Sequence, residues 1–238
     1  MEVYKKDTFN QEIKSDGSPV TEADNAANKI IIDALNKITP QIPVLSEETY
    51  HKDQKNFDIP YWLVDPLDGT REFINKSKEF TVNIALIEDG SAIFGIVGAP
   101  ATSNVWHGSI YDSDKNLSGI SDAEINTLRI VMSKSHQTDA DRNLLSLFKS
   151  LNIDYEVVEK GSSLKLCALA DNQADIYPRF GPTSEWDIAA GNAVLSGSGG
   201  IVLYWFRNCF ISSPKRKKYY CSRKGRTING KSNTIKNC

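Results

Sequence analysis

Apolar residues recur along this chain in two rhythms, one near 3.6 residues and one of two, and these divide it into helices and strands. Thr21-Glu22-Ala23-Asp24 opens a helix with capping residues, and Ala27, Ile30, Ile31, Ala34, Leu35 and Ile38 follow at helical spacing until Pro40 and Pro43 stop it. Residues 43–46 read as a short strand running into Glu47-Glu48, and 61–64 as a buried strand that ends at Asp65. Residues 80–88 alternate, with Val82, Ile84 and Leu86 on one face. Asp89-Gly90 is a hairpin signal, 91–97 the returning strand and 105–110 a third strand of the meander.

A second half begins at the apolar run 128–132. The pattern then predicts a helix over 138–151, carried by Leu144, Leu145, Leu147, Phe148 and Leu151, and a strand over 153–158. A helix over 162–172, a strand over 174–177 and a helix over 185–195 follow, before Gly197-Ser198-Gly199-Gly200. Helices and strands mix in both halves and no internal repeat is visible, which predicts a layered α+β or α/β architecture rather than a strictly parallel sheet. The organisation expected is one body over 1–200, with halves of about 1–125 and 126–200, and a separate tail over 201–238.

Composition changes that picture mainly at the tail. Of 238 residues, 40% are hydrophobic and 24% charged, ordinary for a soluble globular protein. No apolar run approaches the roughly 20 residues that span a bilayer, and the first residues lack the apolar core of a secretory signal, so a cytoplasmic protein is expected. The four cysteines show no disulfide or zinc spacing. The formal charge of −2 hides an asymmetry: residues 201–238 hold ten Lys and Arg and no acid, leaving 18 basic and 30 acidic side chains in the first 200. With few apolar residues, 212–238 is expected to be poorly packed.

The candidate chemistry centres on Asp65-Pro66-Leu67-Asp68-Gly69-Thr70, two carboxylates three residues apart directly after a buried strand. Pro66 restrains the turn and Gly69 allows a backbone conformation closed to other residues, so that Asp65, Asp68 and the Leu67 carbonyl can be aimed at one point. Hard divalent cations take such oxygen ligands. Glu47-Glu48 at a strand end, and Asp24 and Asp187 near helix starts, each have a bland reading as solvated or capping acids. Four acidic element ends together are harder to dismiss.

These residues resemble the inositol monophosphatase-like superfamily, whose pattern joins an acidic pair after a short strand, the Asp-Pro-Leu-Asp-Gly-Thr turn and a distant Trp-Asp-x-Ala-Ala-Gly, here Trp186 to Gly191. The likeness covers about 13–200. Within the superfamily the chain is most similar to bacterial 3'(2'),5'-bisphosphate nucleotidases, through Ser18 to Asp24, Gly161-Ser162-Ser163-Leu164-Lys165 and Tyr177 to Thr183. The resemblance implies the five-layer αβαβα sugar-phosphatase fold, here with an atypical C-terminal tail. It also implies hydrolysis of 3'(2')-phosphoadenosine 5'-phosphate to AMP and phosphate, using two or three Mg2+ and inhibited by Li+. Glu47, Asp65, Leu67, Asp68 and Asp187 would be metal ligands; Asp24, Glu47 and Thr70 would be catalytic and orient the attacking water. Gly69, Thr70, Gly161, Ser162, Ser163, Lys165, Arg179 and Asp187 would contact substrate, and His136 is a further pocket candidate. His51 and His107 are expected at the surface or in packing.

Inositol monophosphatases present a carboxylate to sugar hydroxyls where this chain has Arg179, and an arginine suits a second phosphate. An inositol or sugar monophosphatase, or a truncated or frame-shifted non-catalytic relative, remain as alternatives. The second rests on a short N-terminal segment and on the loss of resemblance beyond Gly200, for which a shifted reading frame is favoured over a basic appendage binding nucleic acid or anionic lipid. The partner expected is a small phosphorylated nucleotide, and the chain is expected to be a monomer or homodimer.

Overall fold

The computed structural model describes residues 1–14, 17–51, 57–112, 127–134, 137–204 and 219–223. Its first sheet has the order β3-β4-β5-β6-β7, from β3 (Val44–Ser46), β4 (Tyr61–Asp68), β5 (Thr81–Glu88), β6 (Ser91–Ala99) and β7 (Asn104–Ser109). β3 runs parallel to β4, and the others form the antiparallel meander that the alternation and Asp89-Gly90 predict. The second sheet has the order β11-β12-β10-β8-β9, from β8 (Leu128–Ser133), β9 (Tyr155–Lys160), β10 (Ile176–Arg179), β11 (Gly200–Tyr204) and β12 (Tyr219–Arg223). A short hairpin of β1 (Gln11–Ile13) and β2 (Pro19–Thr21), which the sequence pattern does not announce, precedes α1 (Glu22–Ile38).

Five layers result. α1 covers the outer face of the first sheet, and α4 (Leu164–Ala170) with α5 (Glu185–Gly197) fill the space between the sheets. α3 (Asp139–Ser150) covers the far face of the second sheet through Phe148, Leu144 and Leu145 on Leu128, Ile130 and Met132. Among the described residues no helix is long and apolar enough to cross a membrane.

The central layer explains a difference from the sequence reading. On β5 the more deeply buried face is Thr81, Asn83, Ala85 and Ile87, not Val82, Ile84 and Leu86. α5 packs on that face, bringing Ala189, Ala190, Ala193 and Val194 against Ala85, Ile87 and Val97. The approach is close because β6 and β7 offer glycines: a Cβ on Gly95 would lie 2.3 Å from the Ala190 carbonyl oxygen, and one on Gly108 2.8 Å from the Val194 Cα. Both faces of the sheet are covered, so hydrophobic alternation alone does not tell which is deeper. Likewise Ile30 and Ile38 of α1 are 70% and 74% exposed, while Asp24, Asn28 and Leu35 are buried.

The tail is not wholly apart from the fold. Its residues Tyr219–Arg223 form β12, inserted antiparallel between β10 and β11. Tyr-Tyr-Cys is favourable strand sequence, and the slot between β10 and β11 supplies hydrogen-bonding edges on both sides, so five residues of a basic segment pair there. Expectations for the remainder of 205–238, and for His136, lie outside the described residues.

Candidate active site

The site begins where β4 loses its regular pairing. Asp65 pairs with Asn83 and Asp68 with Thr81, with a register shift between them. Pro66 occupies this irregularity, where a missing N–H costs no ladder bond. Asp65 is 1% exposed and its Oδ1 accepts the Leu67 N–H at 3.0 Å, folding the carboxylate over the turn. Gly69 has φ +90°, and Thr70 then starts the short helix α2 (Thr70–Ile74). A side chain at Gly69 would be strained at that angle and would press the Glu79 carbonyl oxygen at 3.3 Å.

Asp24 serves two elements at once. Its Oδ2 accepts from the Thr21 N–H at 2.7 Å and the Thr21 hydroxyl at 2.6 Å, capping α1, while its Oδ1 lies 3.3 Å from Thr70 Oγ1. Thr70 Oγ1 is equally 3.3 Å from the Leu67 carbonyl. Its proton therefore goes to one of these acceptors, leaving a lone pair for another donor. Asp187 sits in the first turn of α5, its Oδ2 accepting from the Ser184 N–H at 3.0 Å and the Thr183 hydroxyl at 2.8 Å. Glu47 follows β3, and Lys14 from the β1–β2 hairpin donates to Glu47 Oε1 and Glu48 Oε1, both at 2.8 Å.

Electrostatics binds these acids into one group. Burial, reinforced by Asp68, Glu47 and Asp187, pushes the Asp65 carboxyl well above its ordinary range. Burial also raises Asp187, with Asp68 adding to it, and raises Glu47 against the opposing pull of Lys14. Lys14 is itself held protonated: burial disfavours its charge, but the bonds to Glu47 and Glu48 outweigh that. Among the described residues, no three His, Cys, Asp or Glu side chains are yet drawn close enough to hold an ion. The acids are instead tied to hydroxyls, N–H groups and Lys14. The donor set fits a hard divalent cation: carboxylates and a carbonyl, with Asp65 too buried for water to stabilise its charge.

A cleft of ≈ 270 Å³ brings acidic and basic side chains into one space, its walls including Glu47, Asp68, Thr70, Lys165, Arg179 and Asp187. Lys165 is almost fully buried. Burial lowers its pKa to about 8 despite Asp68, and its Nζ donates to the Ser162 carbonyl at 2.7 Å. Arg179 donates through Nη2 to the Pro182 carbonyl at 3.0 Å and through Nη1 to Tyr177 Oη at 3.3 Å; its buried Nε has no partner among the described residues. Burial opposes the Arg179 charge, and Tyr177 and the site acids restore it.

All of the residues singled out from sequence for metal, catalysis and substrate lie around this cleft or directly behind it, but two are engaged differently from the implied roles. The Ser162 and Ser163 hydroxyls line the cleft and bond Asp68 Oδ2 at 2.6 and 3.0 Å, so their protons are engaged by a carboxylate, which the resemblance did not imply. Gly161 sits behind them, where a Cβ would come within 2.8 Å of the Glu79 carbonyl. Sequence reasoning missed Lys14, Thr81 and Asn83, and also Arg71, which lines the cleft. Thr81 and Asn83 carry a signal in retrospect: they are polar residues in phase with Ala85 and Ile87.

Comparison with known proteins places the chain. The sequence model of the inositol monophosphatase family matches residues 1–236, past the Gly200 at which the motif likeness ends. The 3'(2'),5'-bisphosphate nucleotidase CysQ of Buchnera aphidicola subsp. Acyrthosiphon pisum is 42% identical over 219 residues, covering 86% of this chain and 78% of that protein. CysQ of Escherichia coli K12, described in the same words, is 43% identical over 201 residues, covering 81% of this chain and 78% of its own. The crystal structure of CysQ from Bacteroides thetaiotaomicron, described as a bacterial member of the inositol monophosphatase family, superposes with a TM-score of 0.74 at 30% identity, covering 94% of this chain and 91% of its own.

Proposed function

The chain belongs to the inositol monophosphatase family, and from that premise we propose that it is a magnesium-dependent phosphatase converting 3'(2')-phosphoadenosine 5'-phosphate and water to AMP and phosphate. One observation carries the choice of substrate: the cleft walls combine carboxylates (Glu47, Asp68, Asp187) with two cations, Lys165 and Arg179, and the Arg179 Nε has no hydrogen-bond partner among the described residues. A molecule with two phosphates complements both sets. The residues that carry the chemistry lie within 1–200, and 201–238 contributes to β11 and supplies β12 in the second sheet.

Glu47, Asp65 and the Leu67 carbonyl would hold one magnesium, and Asp65, Asp68 and Asp187 a second, with Asp65 shared and Glu47 available to a third. Bound magnesium neutralises the phosphate dianion and lowers the pKa of a bound water. The protein's own part is positional. Thr70 Oγ1, its proton directed to Asp24 or the Leu67 carbonyl, accepts from the attacking water and orients it together with Glu47. The N–H groups of Gly69 and Thr70 face the phosphate that is cleaved, where negative charge builds up. Water oxygen bonds to phosphorus, the ribose oxygen–phosphorus bond breaks, and the ribose oxygen leaves with a proton. Arg179 and Lys165 grip the other phosphate through charge-assisted bonds.

The test is phosphate release from a panel of 3'-phosphoadenosine 5'-phosphate, 3'-AMP and inositol 1-phosphate, with magnesium, with chelator, and with lithium added. Preference for the bisphosphate, abolished by chelator and inhibited by millimolar lithium, is expected. Preference for inositol phosphate would replace this reading with a sugar monophosphatase, and no release from any substrate would favour a non-catalytic relative.

A further inference from the structure

Asp68 belongs to the first half of the chain, yet its carboxylate is held largely from the second. Ser162 Oγ donates to Asp68 Oδ2 at 2.6 Å and also lies 3.1 Å from the Asp68 carbonyl. Ser163 Oγ reaches the same Oδ2 at 3.0 Å and the carbonyl of Asp187 at 2.8 Å. Thr81 Oγ1 touches both Oδ2, at 3.4 Å, and Ser162 Oγ. Behind them Asn83 Nδ2 donates to Ser163 Oγ at 2.9 Å. Asn83, Thr81 and Ser163 are 1%, 0% and 3% exposed.

The chemistry of a hydroxyl makes this arrangement directional. Each serine has one proton to give. The amide of Asn83 fills a lone pair of Ser163, so the Ser163 proton must go to Asp68 Oδ2 or to the Asp187 carbonyl. Both acceptors belong to residues that line the cleft. All these bonds to the Asp68 carboxylate converge on Oδ2, and among the described residues none is made to Oδ1. The serines precede α4, and Thr81 and Asn83 lie on β5, so the contact ties the central helix layer to the first sheet.

We propose that Asn83, Thr81, Ser162 and Ser163 are positioning residues that turn Asp68 Oδ2 inward and reserve Oδ1 for the metal, so that metal affinity depends on the docking of the two halves. This rests on the metal-site reading given above. It assigns Thr81 and Asn83 a part in the site, and it gives the two serine hydroxyls a task other than contacting substrate. A merely structural network would hold the halves together with no effect on the ion once the protein is folded.

The experiment is titration of the purified full chain with Mn2+ by calorimetry, alongside thermal melts and steady-state kinetics at saturating magnesium. Ser163→Ala and Asn83→Ala are expected to weaken Mn2+ binding about tenfold, one decade in Kd. The near-isosteric Thr81→Val should weaken it several-fold and Thr81→Ser should restore it, while KM for the nucleotide at saturating metal stays within about twofold. Thr81→Val keeps the test decisive should the alanine variants fold poorly. Wild-type Mn2+ affinity in all three loss variants, with only melting temperature reduced, would overturn the proposal and leave the network structural. Asp68→Asn separates the two ideas: if it too leaves Mn2+ affinity unchanged, the metal-site reading is what fails.

Discussion

Asp65, Asp68, Asp187 and Glu47 crowd together, with Lys14 as the cation that touches them. Lys165, which is buried, and Arg179, which is half-buried, have carbonyls and a phenol as hydrogen-bond partners, and no carboxylate bonds to either among the described residues. The acids and the cations feel one another through space, since Asp68 and Asp187 support the Arg179 charge and Asp68 that of Lys165. Burial still carries a desolvation cost for the charged groups that a ligand would relieve. On the function proposed here, the cleft's selectivity would come from combining the two sets of groups. The acids are gathered mainly by β3, β4 and α5, and the basic groups come from β10 and α4 of the second half.

Removing an acid should break the comparison most severely. Asp65→Asn or Asp187→Asn is expected to lower kcat by a thousandfold or more, since each would remove a charged ligand from the proposed metal site. Asp65→Asn should also stabilise the metal-free protein. The carboxyl's pKa is raised in the folded state, so the stability present below its unfolded value of 3.8 is lost as pH rises toward the folded pKa, and at neutral pH the charge is a burden. A higher melting temperature in chelator together with lost turnover is the expected pair. Full turnover, or a lower melting temperature in chelator, would count against the site.

Reversing a basic group comes next. Arg179→Glu should cost about a hundredfold in kcat/KM on the bisphosphate, a few kcal/mol from a lost charge-assisted pair and a new repulsion. Gly95→Ala should act on both sets at once by prising α5 from the sheet, since its Cβ would meet backbone that cannot step aside. A loss of about 1–3 kcal/mol in a denaturant titration is expected; an unchanged midpoint would show that α5 can shift freely.

The smallest effect concerns Lys165. Its folded pKa of about 8 lies below the ordinary 10.5, so the unfolded chain holds the proton more tightly and stability should rise with pH between those values. Lys165→Met should be more stable than wild type at pH 7, with the difference shrinking by pH 10, and should bind the bisphosphate roughly tenfold more weakly. A pH-independent stability difference would mean the ammonium is not desolvated as described.

The acidic set was the more legible in the sequence. Asp65 to Thr70 is a local string, and turn chemistry alone says that its oxygens converge. The meander, α1 and the central helix containing Asp187 also follow from periodicity. Long-range facts were not legible. Which face of β5 is deeper depends on α5, more than a hundred residues later, packing against Gly95 and Gly108. Thr81 and Asn83 therefore fall on the face opposite Val82, Ile84 and Leu86, where alternation gives no hint of a site. Lys14 sits on a hairpin too short to have a hydrophobic rhythm. The pairing of β12 was hidden because its flanks read as an unfolded basic segment, whereas the slot between β10 and β11 makes five of its residues a strand.

The central claim is that one cleft needs two phosphates. Its most direct test is the ratio of kcat/KM on 3'-phosphoadenosine 5'-phosphate to that on 3'-AMP, measured at saturating magnesium for the wild type and for Arg179→Glu. The account predicts a large ratio in the wild type that collapses toward one in the variant, with activity on 3'-AMP little changed. Equal loss on both substrates, leaving the ratio intact, would contradict it.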